Sequence, residues 1–412
     1  MMRLLYKYAI LLISLGIYTW FVGAYVAILL LLATIVIVVS GFSTSKWLLS
    51  FPIISIIIGF AVLKYLTPSN SFSLPIGYSV FAFTCISYIV DSTRTASKTN
   101  NKPIDVLCYL FFFPKMLAGP IVRFSDFKRQ LNSCKTPSKT ELYLALKILI
   151  FASFCKFVLA DNLSGITASE NYGINSWLST IMFAFQLYLD FYAYSNYAIS
   201  FALLVGIKLP ESFNSPYQAV TFNGFWHRWN VTVSLWLRDY IYIPLGGNRC
   251  NSRWRVYSNI LLTFLVSGLW HGATLPFLLW GILHGIFVIT ERIVLGKKEI
   301  EGKLLRFLYG FYVFCIISLL WQLFKLDGLE PFIKWMKSLF VIVPVSSQVL
   351  WISIFTISTT YLMDNKMVKQ LIFSSSNNEL FVYKEVALLC TMSFLVLLFH
   401  SQPNINFFYF KF

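Results

Sequence analysis

The chain has 412 residues, 58% of them apolar and only 12% charged, with a mean hydropathy of +0.70. Soluble domains carry roughly 25% charged residues, so this composition lacks the polar coat of a water-soluble enzyme, and it is too apolar for disorder or collagen. The 33 Lys+Arg against 17 Asp+Glu leave a net charge of +16; with no nucleic-acid motif present, that excess fits loops lying against anionic lipid on the cytoplasmic side of a membrane.

Charge-free stretches mark the membrane segments in chain order. The 38 uncharged residues between Lys7 and Lys46 would make a helix of about 57 Å, close to two crossings of a ~30 Å core, with Gly23 as the break. This apolar run is too long for a signal peptide and lacks a small-x-small cleavage site. Trp47–Leu63 and Leu74–Val90 read as two further spans. Ile104–Gly119 is apolar but carries Asp105, Pro114 and Lys115. Basic residues flank it on both sides: Arg94, Lys98 and Lys102 before, Arg123, Lys128 and Arg129 after. A full crossing would put one basic loop outside, so a re-entrant hairpin broken at Pro114 and Gly119-Pro120 is expected. Later candidates are Leu142–Ala160, Trp177–Leu189, Phe191–Ile207, Val256–Trp270, Phe277–Ile293, Phe307–Phe324, Phe332–Val343, Val349–Met363 and Val386–Phe399. The expectation is an all-α polytopic membrane protein with about eleven crossings plus short or broken pieces. No internal repeat, linker or soluble domain is visible, so residues 1–412 read as one transmembrane domain. The seven scattered cysteines, with no CxxC, read as small core hydrophobes.

Residues 208–255 carry the densest chemistry, with six basic residues among many aromatics and only Glu211 and Asp239 as acids. Trp and Tyr favour the membrane interface and Arg reaches phosphates there, which predicts short helices along the cytoplasmic surface. A helix over Trp226–Tyr242 would align Asn230, Ser234 and Arg238 on one face, lining either a polar passage or an ordinary lipid interface. The next 35 residues, Val256–Thr290, carry no Asp, Glu, Lys or Arg. They are too long for one crossing and break naturally at Gly272–Pro276. His271 sits at that break in SGLWHGATLP. An ionisable residue in such a run is a functional candidate, and imidazole can take a proton from a hydroxyl near neutral pH. His284, about 220° further round an unbroken helix, reads as structural. His227 can meet headgroups, and His400 receives no role. The four histidines lack metal-ligand spacing, so no metal site is expected.

These residues resemble the membrane-bound O-acyltransferase family, in particular its bacterial branch acting in alginate O-acetylation and teichoic acid D-alanylation. The matching stretches are LPIGYSVFAFTCISYIVD (74–91), FFPKMLAGPIVRFSDF (112–127), LYLDFYAYSNYAIS (187–200), FNSPYQAVTFNGFWHRWNVTVSLWLRDYIYIPLGGNR (213–249) and SGLWHGATLPFLLWGILHG (267–285). The resemblance divides the chain into variable N-terminal helices (1–70), shorter than usual, a motif-bearing core (74–285) and C-terminal helices (286–412) around a central funnel. It implies acyl transfer from a thioester to a hydroxyl, with His271 as the late catalytic histidine. Asn230 occupies the second active-site position, where the bacterial branch usually has histidine. Asn196 stands where that branch commonly has aspartate, and Asp190 is retained. Arg238, Trp226, Trp229, Ser234, Asp190 and Arg123 are then expected to bind donor or substrate.

In this scheme His271 acts as general base and then protonates the thiolate, while Asn230 hydrogen-bonds the carbonyl or the hydroxyl. Direct attack and a transient acyl-enzyme both fit. The resemblance further implies acetyl-CoA as acyl donor with no bound cofactor, a multi-pass place in the bacterial inner membrane, and a polysaccharide acceptor outside. It also implies a separate extracytoplasmic partner of the SGNH-hydrolase type, since no such domain is fused here. Alternatives are D-alanyl transfer from a carrier-protein thioester and, in another class, transport of a lipid-linked sugar. The transporter reading calls for inverted halves, which are not seen.

Overall fold

A computed structural model describes residues 2–23, 25–42, 46–62, 64, 77–94, 101–116, 119–167, 176–272, 274–296, 298–326, 328–341, 343–374 and 379–399. Residues 74–76, Lys98, Leu117, Ala118, Ala273 and His400 lie outside this set. All regular elements among the described residues are helices, eleven of which reach 15 residues or more. Five are long and apolar enough to cross a membrane: Met2–Phe21, Lys139–Thr167, Leu275–Leu295, Lys303–Lys325 and Glu379–Phe399. The expected all-helical polytopic architecture is present, with five clear long apolar spans against the eleven crossings anticipated.

The chain divides into two compact units, residues 1–146 with 197–210, and residues 147–196 with 211–412. In the first, Met2–Val22 and Tyr25–Phe42 flank Gly23, whose φ of +61° suits glycine. Lys7 is buried, and its Nζ lies 2.5 Å from Asp105 and 2.6 Å from the Asn132 carbonyl oxygen. This pair fixes the start of the hairpin-like segment. Pro103–Phe111 has only nine residues, about 13 Å of helix and under half a bilayer core. The chain breaks at Phe112, makes the short Phe113–Met116 turn, and is extended from Gly119. Gly119 is required there, since a Cβ would lie 2.6 Å from the Pro114 carbonyl oxygen.

In the second unit two features position the site. The first is the hairpin of Arg253–His271 and Leu275–Leu295, broken where glycine and proline predict. A Cβ on Gly268 would sit 2.4 Å from the Phe277 carbonyl oxygen, and one on Gly281 2.4 Å from that of Phe264. Paired small residues let the two backbones touch, as apolar helices in a membrane require. The second is the helix Ser176–Leu204, 29 residues long, of which 176–196 belong to this unit. Here the structure corrects the expectation of two pieces, Trp177–Leu189 and Phe191–Ile207. Asp190 separates those two apolar stretches in the sequence, but its carboxylate accepts from Lys156 Nζ at 2.7 Å, and Asp161 holds the same amine at 2.8 Å. A compensated charge leaves the helix unbroken.

Candidate active site

The motif segment 213–249 forms short helices, as expected; its first part packs into the interior of its unit, whereas Arg238–Tyr242 has no buried residue. Phe222, Phe225, Trp229 and Trp236 are all buried. The segment is pinned at its start by Glu291, whose carboxylate accepts from the backbone N–H groups of Phe222 (2.6 Å) and Asn223 (3.0 Å). Thr221 caps the same turn, its hydroxyl accepting from Gly224 N at 2.9 Å. From there Phe222–Trp226 runs along Leu275–Leu295. Phe222 meets Phe287, and Trp226 meets His284 and Trp280 at ring-centroid distances of 4.9 and 5.7 Å. Glu291 to Trp280 is about 16 Å along the helix axis, so the segment descends well into the bundle. It then returns through Val231–Leu237 and a π-helical turn, Arg238–Tyr242. Asn248 beyond it accepts from Tyr242 (2.8 Å) and from Arg292 (2.8 Å) near the end of the same long helix.

Asn230 makes the turn between descent and return. It is the N-cap of Val231–Leu237 with φ 40° and ψ 55°. This left-handed conformation is uncommon for residues with a Cβ, and asparagine is among the few that adopt it readily. The continuous helix expected over Trp226–Tyr242 is therefore broken at residues 227–230. Backbone bonds lock the bend: Val231 N donates to Ser212 O (2.8 Å) and Asn214 N to Arg228 O (2.9 Å).

His271 is the last residue of Arg253–His271. Gly272 follows in extended conformation, with the Phe277 ring 2.1 Å from where a Cβ would be. The half-buried imidazole is boxed by aromatic rings: Trp270 at 4.2 Å, Phe324 at 4.5 Å and Trp280 edge to face at 5.3 Å. His271 and Asn230 line one narrow cavity of about 30 Å³. Its polar wall is completed by Ser234 and Ser267, and five tryptophans contribute: Trp226, Trp229, Trp270, Trp280 and Trp321. The arrangement offers one titratable base, a carboxamide and two hydroxyls in a largely apolar chamber, where electrostatic interactions strengthen.

Five residues singled out in the sequence thus meet here: His271, Asn230, Ser234, Trp226 and Trp229. Three do not line the cavity. Arg238 is turned to its neighbour Asp239 at 2.7 Å. Asp190 is held by Lys156. Arg123 belongs to the first unit and lies 3.6 Å from Asp91. Trp280, Trp321, Phe324 and Ser267 also line the chamber; Ser267 and Trp280 lie in the matching stretch 267–285 without having been given a role, and Trp321 and Phe324 lie outside every matching stretch. The Gly281 beside Trp280, three residues before His284, was the available signal for a close helix contact. The second unit also holds an open polar cleft with Glu211, Arg228, Asp364, Lys366 and Lys369 in its lining. Burial pushes the Asp364 carboxyl above its usual range, and Lys369, 3.5 Å away, opposes that shift.

Fold and site describe an all-helical multi-pass membrane protein with a histidine–asparagine chamber. Residues 77–296 match the model of MBOAT, the membrane-bound O-acyltransferase family, and the chain belongs to that family. It is 36% identical over 245 residues to a peptidoglycan O-acetyltransferase of Helicobacter pylori, covering 57% of this chain and 46% of that protein. It is 33% identical over 255 residues to a "Probable alginate O-acetylase" of Azotobacter vinelandii, covering 61% and 50%. A teichoic acid D-alanyltransferase of Streptococcus thermophilus is 30% identical over 220 residues, covering 48% and 52%. The chain spans about half the length of the curated relatives it matches.

Proposed function

We propose that the protein is a membrane O-acyltransferase, specifically an O-acetyltransferase, moving an acyl group from a cytoplasmic thioester to a hydroxyl of a polysaccharide outside the bacterial inner membrane. The observation carrying this reading is that His271 and Asn230 line the same chamber. Neutral His271 accepts the proton of the attacking hydroxyl as oxygen bonds to the thioester carbonyl carbon. It returns that proton to the thiolate as the carbon–sulfur bond breaks. Asn230 orients the carbonyl or the hydroxyl by hydrogen bonding. The aromatic walls limit water, so hydrolysis does not compete with transfer. Acetyl-CoA is the proposed donor, and a separate extracytoplasmic protein of the SGNH-hydrolase type the proposed carrier to the glycan.

The experiment is the acetyl content of the envelope or secreted glycan in cells with and without the gene, complemented by wild type or His271→Ala. Acetylation restored by wild type alone supports the proposal. The similarity to a teichoic acid D-alanyltransferase favours one second reading, D-alanyl transfer from a carrier-protein thioester. Ester-linked D-alanine in place of acetate would establish it.

A further inference from the structure

Behind the chamber stands a group of polar atoms that the scheme above leaves without a task. His284 is fully buried and Trp280 is 1% exposed. Neither ring nitrogen of His284 has a hydrogen-bond partner among the described residues, nor does the indole N–H of Trp280 or of Trp226. The three rings form one cluster, with His284 to Trp280 at 4.8 Å, His284 to Trp226 at 4.9 Å and Trp226 to Trp280 at 5.7 Å. Both tryptophans line the chamber that His271 shares, and Trp280 touches His271 itself.

Burying four such atoms unpaired is costly, about 1–3 kcal/mol for each neutral group, and native proteins retain such groups for a reason. Acyl transfer supplies a reason. As the hydroxyl oxygen attacks, the carbonyl oxygen gains negative charge, and dry, preorganised donors stabilise it most. An indole N–H is a donor only, so it cannot be satisfied by taking the wrong role in the resting enzyme.

Resting on the acyltransfer reading, we propose that Trp280 and Trp226 donate their indole N–H groups to the acyl carbonyl oxygen as it becomes an oxyanion, and that His284 is a positioning residue holding both rings edge-on behind the chamber. The step balances as before. The hydroxyl oxygen bonds to the carbonyl carbon, the carbon–sulfur electron pair leaves on sulfur, and the proton passes through His271 to the thiolate. The indoles exchange no proton.

The test separates donation from packing. Trp280 is replaced by β-(3-benzothienyl)alanine, which keeps the bicyclic shape with sulfur in place of N–H. Separately, His284→Phe keeps a ring and removes both nitrogens. Transfer from acetyl-CoA is followed in membranes holding the full chain and its acceptor system, together with the affinity for the ketone analogue in which CH₂ replaces the thioester sulfur. The isostere is expected to lower kcat about 10²-fold with donor KM and analogue affinity within a factor of two. His284→Phe is expected to lower kcat in the same way while raising the melting temperature, and to add little on top of the isostere. Unchanged kcat in the isostere, with an active wild type, overturns this inference and leaves the proposed function standing. A wild-type chain that transfers no acyl group overturns both.

Discussion

The imidazole of His271 and the indole of Trp280 meet edge to face at 5.3 Å across the gap between two helices, beside a glycine contact that lets the helix backbones touch. Gly268 and Gly281 make that contact, and a Cβ on Gly281 would meet the Phe264 carbonyl oxygen, which cannot swing aside. Gly281→Val is expected to force the helices apart at a cost of about 1–3 kcal/mol or more. Thermal unfolding in detergent should show the loss, accompanied by a larger fall in transfer activity than the stability change alone explains.

Asn230 is constrained twice, by its side chain in the chamber and by its left-handed backbone. Histidine, like asparagine, is enriched in that region of backbone space, whereas alanine has no such preference. Asn230→His is therefore expected to keep the turn and retain measurable activity. Asn230→Ala should lose on the order of 10²-fold in kcat, in line with removal of one positioned hydrogen-bonding group. Equal activity in the two variants would contradict this.

Glu291 is the anchor that sends the motif segment into the bundle. Glu291→Ala leaves two backbone N–H groups without their acceptor, worth about 1–3 kcal/mol each. Glu291→Gln keeps one acceptor oxygen and should recover part of the stability. Protease accessibility of the 213–249 region is the readout. It should rise in the alanine variant more than in the glutamine one.

Lys369 restrains the buried Asp364, and removing it gives a pH signature. With Lys369→Met the folded-state carboxyl pKa moves further above its unfolded value. A raised carboxyl pKa means the folded state binds the proton more tightly. The variant's stability deficit should thus be smallest below the unfolded carboxyl pKa of about 3.9 and grow as pH rises through the folded value. Melting temperatures measured from acid to neutral pH check the sign.

Much of the architecture is legible locally. The break at Gly23 and the one after His271 follow from glycine and proline, and most apolar runs match helices to within a few residues. What periodicity cannot see is compensation across the chain. Asp190 looks like an interruption until Lys156, 34 residues earlier, is placed against it. The 213–249 segment looks interfacial because its aromatics and arginines are those of an interface. Its turn at Phe222 is held by Glu291, 69 residues away, which no local pattern announces. His271, Asn230, Ser234, Trp226 and Trp229, singled out from motif and spacing, line one chamber. Trp280, within the stretch 267–285, and Trp321, outside every stretch, line it too, and no charge or spacing sets them apart from other tryptophans in apolar helices. Arg238 keeps the α-helical step from Ser234, but its guanidinium pairs with Asp239, which spacing does not announce.

The central claim is that His271 performs the proton transfer. Its most direct test is acyl transfer to the glycan acceptor by His271→Ala, measured at equal membrane abundance with the fold verified by thermal unfolding. A loss of about 10²- to 10⁴-fold is expected for removal of a general base. Acylation at the wild-type rate in a folded, membrane-inserted variant would contradict it.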